Sequence, residues 1–197
     1  MSYTNPDINA GAQIKIGLDA PIEEIRTAIG SLSWISKSFG RAWEFKEKGL
    51  TSGKTIRVPK VYEAAGEYIN VLPNDNLFSA GIAASSFIAV REAEKYSNYQ
   101  PFTGSIKQTR LSLIIWANLK LIDETKDYIF TEELKKQIED KIKVLPSVTE
   151  IIEWVDERAE DVFKGYDVNG GDFDMQYLMY PYAGIRVDFN IQYPESC

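Results

Sequence analysis

The sequence predicts an α+β fold, a largely antiparallel sheet with helices packed on one face, and three observations lead there. Residues 110–121 alternate polar and apolar side chains over a long run, residues 184–193 do so again, and between them apolar residues recur at helical spacing. Strand-rich stretches come first, helical ones later and a strand last. That order belongs to segregated α+β proteins, whereas a parallel sheet needs regular strand–helix alternation.

A chain of 197 residues with 44% hydrophobic composition can bury one sizeable core. A single domain over residues 1–197 is therefore expected, with its core over about 14–193 and a flexible polar N-terminus over 1–12. Four tryptophans, eleven tyrosines and nine phenylalanines supply the apolar area that a disordered chain lacks.

Taken in order, Gln13–Leu18 alternates as a short strand would. Asp19-Ala20-Pro21 opens a helix, with proline where its missing N–H costs nothing and Glu23 and Glu24 facing the positive end of the dipole; Gly30 ends it. Residues 31–54 read as an irregular aromatic and basic loop, holding Trp34, Phe39, Trp43 and Phe45 among Lys37, Arg41, Lys46, Lys48 and Lys54. Such rings beside cations cover a partner surface or stack on nucleic-acid bases, or else plug the end of the chain's own core.

Ile56–Tyr62 and Glu67–Pro73 are strand-like, and Pro59 marks the first as an edge strand or a bulge. Asn74-Asp75-Asn76 forms a loop, and Ser86–Val90 another strand. Over 105–121, Leu111, Leu113, Ile115, Ala117, Leu119 and Leu121 alternate with Arg110, Ser112, Trp116, Asn118 and Lys120. A period of two on this scale predicts a long strand in the middle of the sheet.

Two amphipathic helices are expected next. The first starts at Thr131 with Leu134, Ile138 and Ile142 in one stripe and stops at Leu145-Pro146; the second opens on a capping-box pattern at Ser147–Glu150 and runs to Gly165. After a turn at Asp167–Asp174, the alternation Ile185, Val187, Phe189, Ile191, Tyr193 closes the fold as a strand.

Residue types bound the chemistry. There is no histidine, which removes the commonest general base, the commonest metal ligand and every Ser-His or Cys-His pair. The one cysteine, Cys197, excludes an intramolecular disulfide and a cysteine metal cage. Gly49–Thr55 has three residues between its glycines where a phosphate loop needs four. Asp167–Asp174 places Asp172 where a calcium-binding EF-hand loop needs its glycine, and Leu178 where it needs its bidentate glutamate. Paired carboxylates such as Glu132-Glu133 and Asp156-Glu157 fall on outer helix faces, away from the shelter acid–base work needs, and a carboxylate-only glycosidase is left open. No catalytic, cofactor-binding or metal-ligating residue is assigned, no cofactor is expected, and the chain is not expected to be an enzyme.

Net charge is −7, which argues against a dedicated nucleic-acid binder. It is unevenly spread: residues 1–120 carry 14 basic and 11 acidic side chains, residues 121–197 carry 8 and 18. The later excess is either a set of solvated faces or a surface that DNA must not stick to. No apolar run of membrane-spanning length and no signal-peptide pattern occurs, so synthesis and retention in a cytosol are expected.

The long alternating strand over 110–121, the expected helix pair and the closing strand over 184–193, after early hairpin strands, resemble the tail-terminator and head–tail joining proteins of tailed bacteriophages. The textures of Arg57-Val58-Pro59-Lys60-Val61-Tyr62 and Tyr182–Phe189 are similar to those of gut phages of the crAss-like group, whose neck is a stack of ring proteins. The resemblance covers residues 56–193 and carries no invariant motif. It implies a virion protein of the neck or tail, made in the bacterial host cytoplasm, that closes into a hexameric or dodecameric ring. Such a ring would contact adjacent neck, tail or portal proteins and let DNA pass through its lumen without specific binding. Residues 31–54 and 74–84 are the expected contact segments, with Trp34, Phe39, Trp43, Phe45, Val58, Tyr62 and Phe78 as candidate subunit-interface residues. The alternative reading of the residues is a monomeric or dimeric protein-binding adaptor, which predicts one or two chains where the ring predicts six or twelve.

Overall fold

A computed structural model describes residues 16–48, 53–64, 66–72, 81–100, 104–156, 158–167 and 180–195. In chain order they form α1 (Asp19–Gly30), β1 (Lys37–Lys48), β2 (Thr55–Ala64), β3 (Glu67–Asn70), β4 (Ala84–Val90), β5 (Lys95–Asn98) and β6 (Ile106–Asn118). There follow α2 (Leu119–Ile122), α3 (Thr131–Ile142), β7 (Val148–Val155), α4 (Ala159–Val162) and β8 (Tyr182–Pro194). The eight strands make one mixed, mostly antiparallel sheet in the order β3-β2-β1-β4-β6-β8-β7, with β5 added to β6. This is the α+β architecture that the alternating runs predict. Among the described residues no helix is long and apolar enough to cross a membrane.

The spine is β6 and β8, antiparallel over thirteen consecutive pairs from Ile106↔Pro194 to Asn118↔Tyr182. Odd-numbered β6 residues from Leu111 to Ala117 and odd-numbered β8 residues from Ala183 to Tyr193 face one core, shared with Ile22, Ile25 and Ile29 of α1 and Leu134, Ile138 and Ile142 of α3. Each of these six helix side chains is all but fully buried and contributes at most roughly 1.5–3 kcal/mol. Ser38, on β1, fastens α1 to the sheet by donating its hydroxyl to the Arg26 carbonyl at 2.9 Å. Gly30 ends the helix where a Cβ would sit 3.2 Å from that serine's own Cβ.

The opposite face is also buried, which the expected arrangement of helices on one face did not include. Ile114 and Trp116 of β6 and Phe87 and Ala89 of β4 join a second core with Val58 and Val61 of β2 and with Val162, Phe163 and Tyr166. The sheet thus separates two cores. Helices α1 and α3 cover one, and the second is closed by the β1–β2 pair and residues 158–167, which include the short α4.

Two further expectations are corrected. Residues 37–48, read as part of an irregular loop, are a twelve-residue strand. A register shift between Ser38 and Arg41 breaks the period-two pattern around Gly40, and the outer half is polar enough to pass for a loop. Residues 148–155, read as helix, are also a strand. Its register shifts twice, leaving Thr149 and Ile152 as extra residues, so Val148, Ile151 and Trp154 all oppose the inward-facing Ile191, Phe189 and Val187. Two bulges thereby give a strand the three-residue apolar spacing of a helix. Ser147 caps nothing there; its hydroxyl donates to Glu24 on α1 at 2.8 Å.

Pro59 does not mark an edge, because β2 pairs with β1 on one side and β3 on the other. The Pro59 carbonyl accepts the Val71 N–H at 3.1 Å, just past the last residue of β3. N and C=O of one strand residue point to the same side, so the missing donor falls where the β3 ladder has ended. Of the strand expected over 13–18, Ile16–Leu18 is a turn entering α1 and the rest lies outside the described residues. The turn expected over 167–174 is described only at Asp167, and the segment 74–84 only from Gly81.

Candidate interaction surface

The inner half of β1 runs parallel to β4 as far as Ala42↔Ala89. There β4 ends, and the Arg91 N–H turns to the Arg110 carbonyl at 2.9 Å. Beyond that point, among the described residues, Trp43–Lys48 pairs with β2 alone, from Trp43↔Lys60 to Lys48↔Thr55, an arm whose second strand still places Ile56 and Val58 in the second core. On one of its faces Phe45 meets Tyr68 with ring centroids 5.1 Å apart, and Tyr68 meets Tyr62 at 5.4 Å. Lys60 lies 5.5 Å over the Phe45 ring and is ion-paired with Glu47. Trp43 is 42% exposed, with the Arg41 guanidinium stacked 3.8 Å from its centroid. An exposed tryptophan carrying a stacked guanidinium has the composition of a contact hot spot.

The candidate interface residues therefore divide. Trp43 and Phe45 lie two residues apart on the arm, and Phe45 is linked through the Tyr68 ring to Tyr62, whose side chain is buried. Phe39 and Val58 are buried in the second core. Trp34 is buried in the helix-covered core, where its indole N–H donates to Gln137 on α3 at 3.0 Å. Phe78 lies outside the described residues.

A charged cluster not anticipated from the sequence ties the second core together. Asp188 on β8 is 5% exposed and accepts hydrogen bonds from the Arg110 guanidinium at 2.8 Å and from the Ser112 hydroxyl, with Arg186 Nε 3.1 Å away. Arg91 donates from Nε to the Ser112 hydroxyl at 2.7 Å and from Nη1 to the Lys164 carbonyl at 2.6 Å. Arg186, 2% exposed, donates to the Asp161 carbonyl. Glu153, at the sheet edge, stands 3.6 Å from Arg110 and 3.5 Å from Arg186. On the far side Asp167 accepts the Arg57 backbone N–H at 2.7 Å and its guanidinium at 3.2 Å.

Three arginines from different strands or strand ends thus hold residues 158–167 over the second core. Burial pushes the Arg91 guanidinium below its ordinary pKa and the neighbouring Tyr166 hydroxyl up to about 12. The hydrogen bond to Arg57 holds the Asp167 carboxyl below its usual value. Arg186 and Asp188 looked like the solvated face of a half-buried strand. Two opposite charges two residues apart on β8, with Asp188 opposite Ser112 and Arg110 two residues before that serine on β6, are the signal that was there to be used.

A polar groove of about 590 Å³ continues from Arg110 along β5, β6, β8 and β7, lined by Gln108, Asn190, Gln192 and Glu150. Its formal charges balance, two of each sign: Lys95 pairs with Glu92 at 2.9 Å, Arg110 with Asp188 at 2.8 Å, and Glu150 accepts a hydrogen bond from Asn190 at 2.9 Å. Lys95 also holds the Glu92 carboxyl below its ordinary pKa, the wrong direction for a general acid. Among the described residues no three carboxylate, thiol or imidazole side chains converge so as to hold a metal ion.

No protein-family model matches the chain, and no curated protein matches it. Its surface is interpreted from its own geometry.

Proposed function

We propose that the chain is a structural subunit that closes into a ring, a connector or terminator in the neck or tail of a tailed phage with DNA passing through its lumen. The observation that carries this reading is the arm, where β1 pairs among the described residues with β2 alone and Trp43 is exposed with Arg41 stacked on it. Ile56 and Val58 of β2 belong to the second core, whereas the exposed tryptophan beside an open strand edge offers contact area to a neighbour. The resemblance in element order adds support through the β6–β8 spine; of the helix pair it counted, only α3 is present and β7 takes the place of the second. The charge-neutralised groove favours this reading over an enzymatic one.

Sedimentation velocity over a range of concentrations tests it. The unaltered chain is expected to populate one large species, and Trp43→Ser to shift the population toward the monomer while keeping the same far-ultraviolet circular dichroism spectrum. A single small species of one or two chains at every concentration would favour the adaptor reading in its place.

A further inference from the structure

Two open strand edges in this chain carry side chains of opposite charge. On the open strand Trp43–Lys48, Lys46 and Lys48 stand with Glu44 and Glu47, the latter ion-paired with Lys60; β7 holds Glu150 and Glu153 and no basic side chain. Among the described residues Trp43–Lys48 pairs only with β2, and β7 only with β8, so each has one side without a strand partner. Unpaired edges are templates for a strand from another chain.

The charges also match in spacing. Lys46 and Lys48 are exposed and two residues apart on one face of β1. Glu150 and Glu153 are exposed and three apart in sequence, but the bulge at Ile152 brings them opposite Asn190 and Asp188, which are two apart on β8. Both pairs are therefore spaced by about 7 Å along their strands. Ile152, 40% exposed at that bulge, offers apolar surface, as Trp43 does on the arm.

We infer that the arm of one copy docks along the β7 edge of a second copy, with Lys46 and Lys48 facing Glu150 and Glu153. The inference rests on the assembly reading above and names the surfaces that meet. Because these surfaces differ, the contact is head-to-tail, and repeating it generates a closed ring or a filament where a self-complementary contact would stop at a dimer. Opposite charges in register also fix the direction of the contact and disfavour arm-to-arm or edge-to-edge pairing.

Charge exchange tests it, with multimer fraction read by sedimentation. K46E/K48E and E150K/E153Q are each expected to lose the multimer; glutamine at 153 avoids adding a cation beside Arg110 and Arg186. Mixing the two variants, or placing all four changes in one chain, is expected to restore it, and recovery requires that the chains are folded. Added salt is expected to weaken the unaltered multimer, since exposed pairs are screened. A multimer indifferent to every exchange would overturn this interface, assign the edge to another partner and leave the ring reading standing. Loss in both variants without rescue would overturn the pairing as well. An unaltered chain that stays monomeric would overturn the ring reading and the interface together.

Discussion

Replacing Asp188 with asparagine keeps the shape of the side chain and removes the most deeply buried negative charge in the arginine cluster. Arg186, 2% exposed, then faces only Glu153, which is 47% exposed at 3.5 Å, and the Asp161 carbonyl. Breaking a buried ion pair by removing one partner costs about 3–5 kcal/mol, because the remaining charge stays out of water. Arg110 keeps 28% of its side-chain exposure, so its share is screened and the lower end applies, about 3 kcal/mol. For a chain of this size that lowers the melting temperature by about 6–12 °C. Thermal melts followed by circular dichroism, with urea titrations beside them, measure it, and Glu124→Gln, at an exposed position between α2 and α3, is the control, expected within about 0.5 kcal/mol. The double change R186L/D188L should recover part of the loss, since an apolar pair of similar volume tolerates burial. A D188N protein melting within about 2 °C of the unaltered chain would refute the reasoning, because the cluster would then not depend on this carboxylate.

Three other outcomes follow from the same packing. Phe163→Ala should cost about 3–5 kcal/mol in urea titrations, since its fully buried ring joins residues 158–167 to the second core. Gly165→Ala should cost more than about 1 kcal/mol by the same measurement; its φ is +95° and a Cβ would lie 2.9 Å from Arg91 Nη1. Asp167 has a folded pKa below its ordinary 3.8, so its stabilisation is complete at neutral pH and is lost as pH falls through the folded value. Between about pH 5 and pH 2 the unaltered chain should therefore lose stability more steeply than Asp167→Asn, which urea midpoints across that range will register.

Where one face of an element is buried and the other solvated, its period is plain in the sequence. That holds for α1, α3 and the apolar side of β8. Legibility failed where register shifts intervene. Thr149 and Ile152 turn an inward period of two into a spacing of three, and the β-branched run Val148, Thr149, Ile151, Ile152, Val155 was the local counter-signal. Around Gly40 a shift interrupts β1, and Glu44, Lys46 and Lys48 beyond it look like loop because that half is solvated. The arginine cluster was hidden for a different reason. What buries Arg186 and Asp188 is a segment some twenty residues earlier in the chain, and local alternation does not register such a cover. Composition identified aromatic contact candidates but could not separate Trp43, exposed on the arm, from Trp34, Phe39 and Val58, which serve the cores.

Native mass spectrometry of the purified chain tests the central claim most directly, because it counts subunits. The account predicts a discrete species of six or twelve chains that persists as concentration is lowered toward the dissociation range. A spectrum holding only monomer and dimer at every concentration would contradict it.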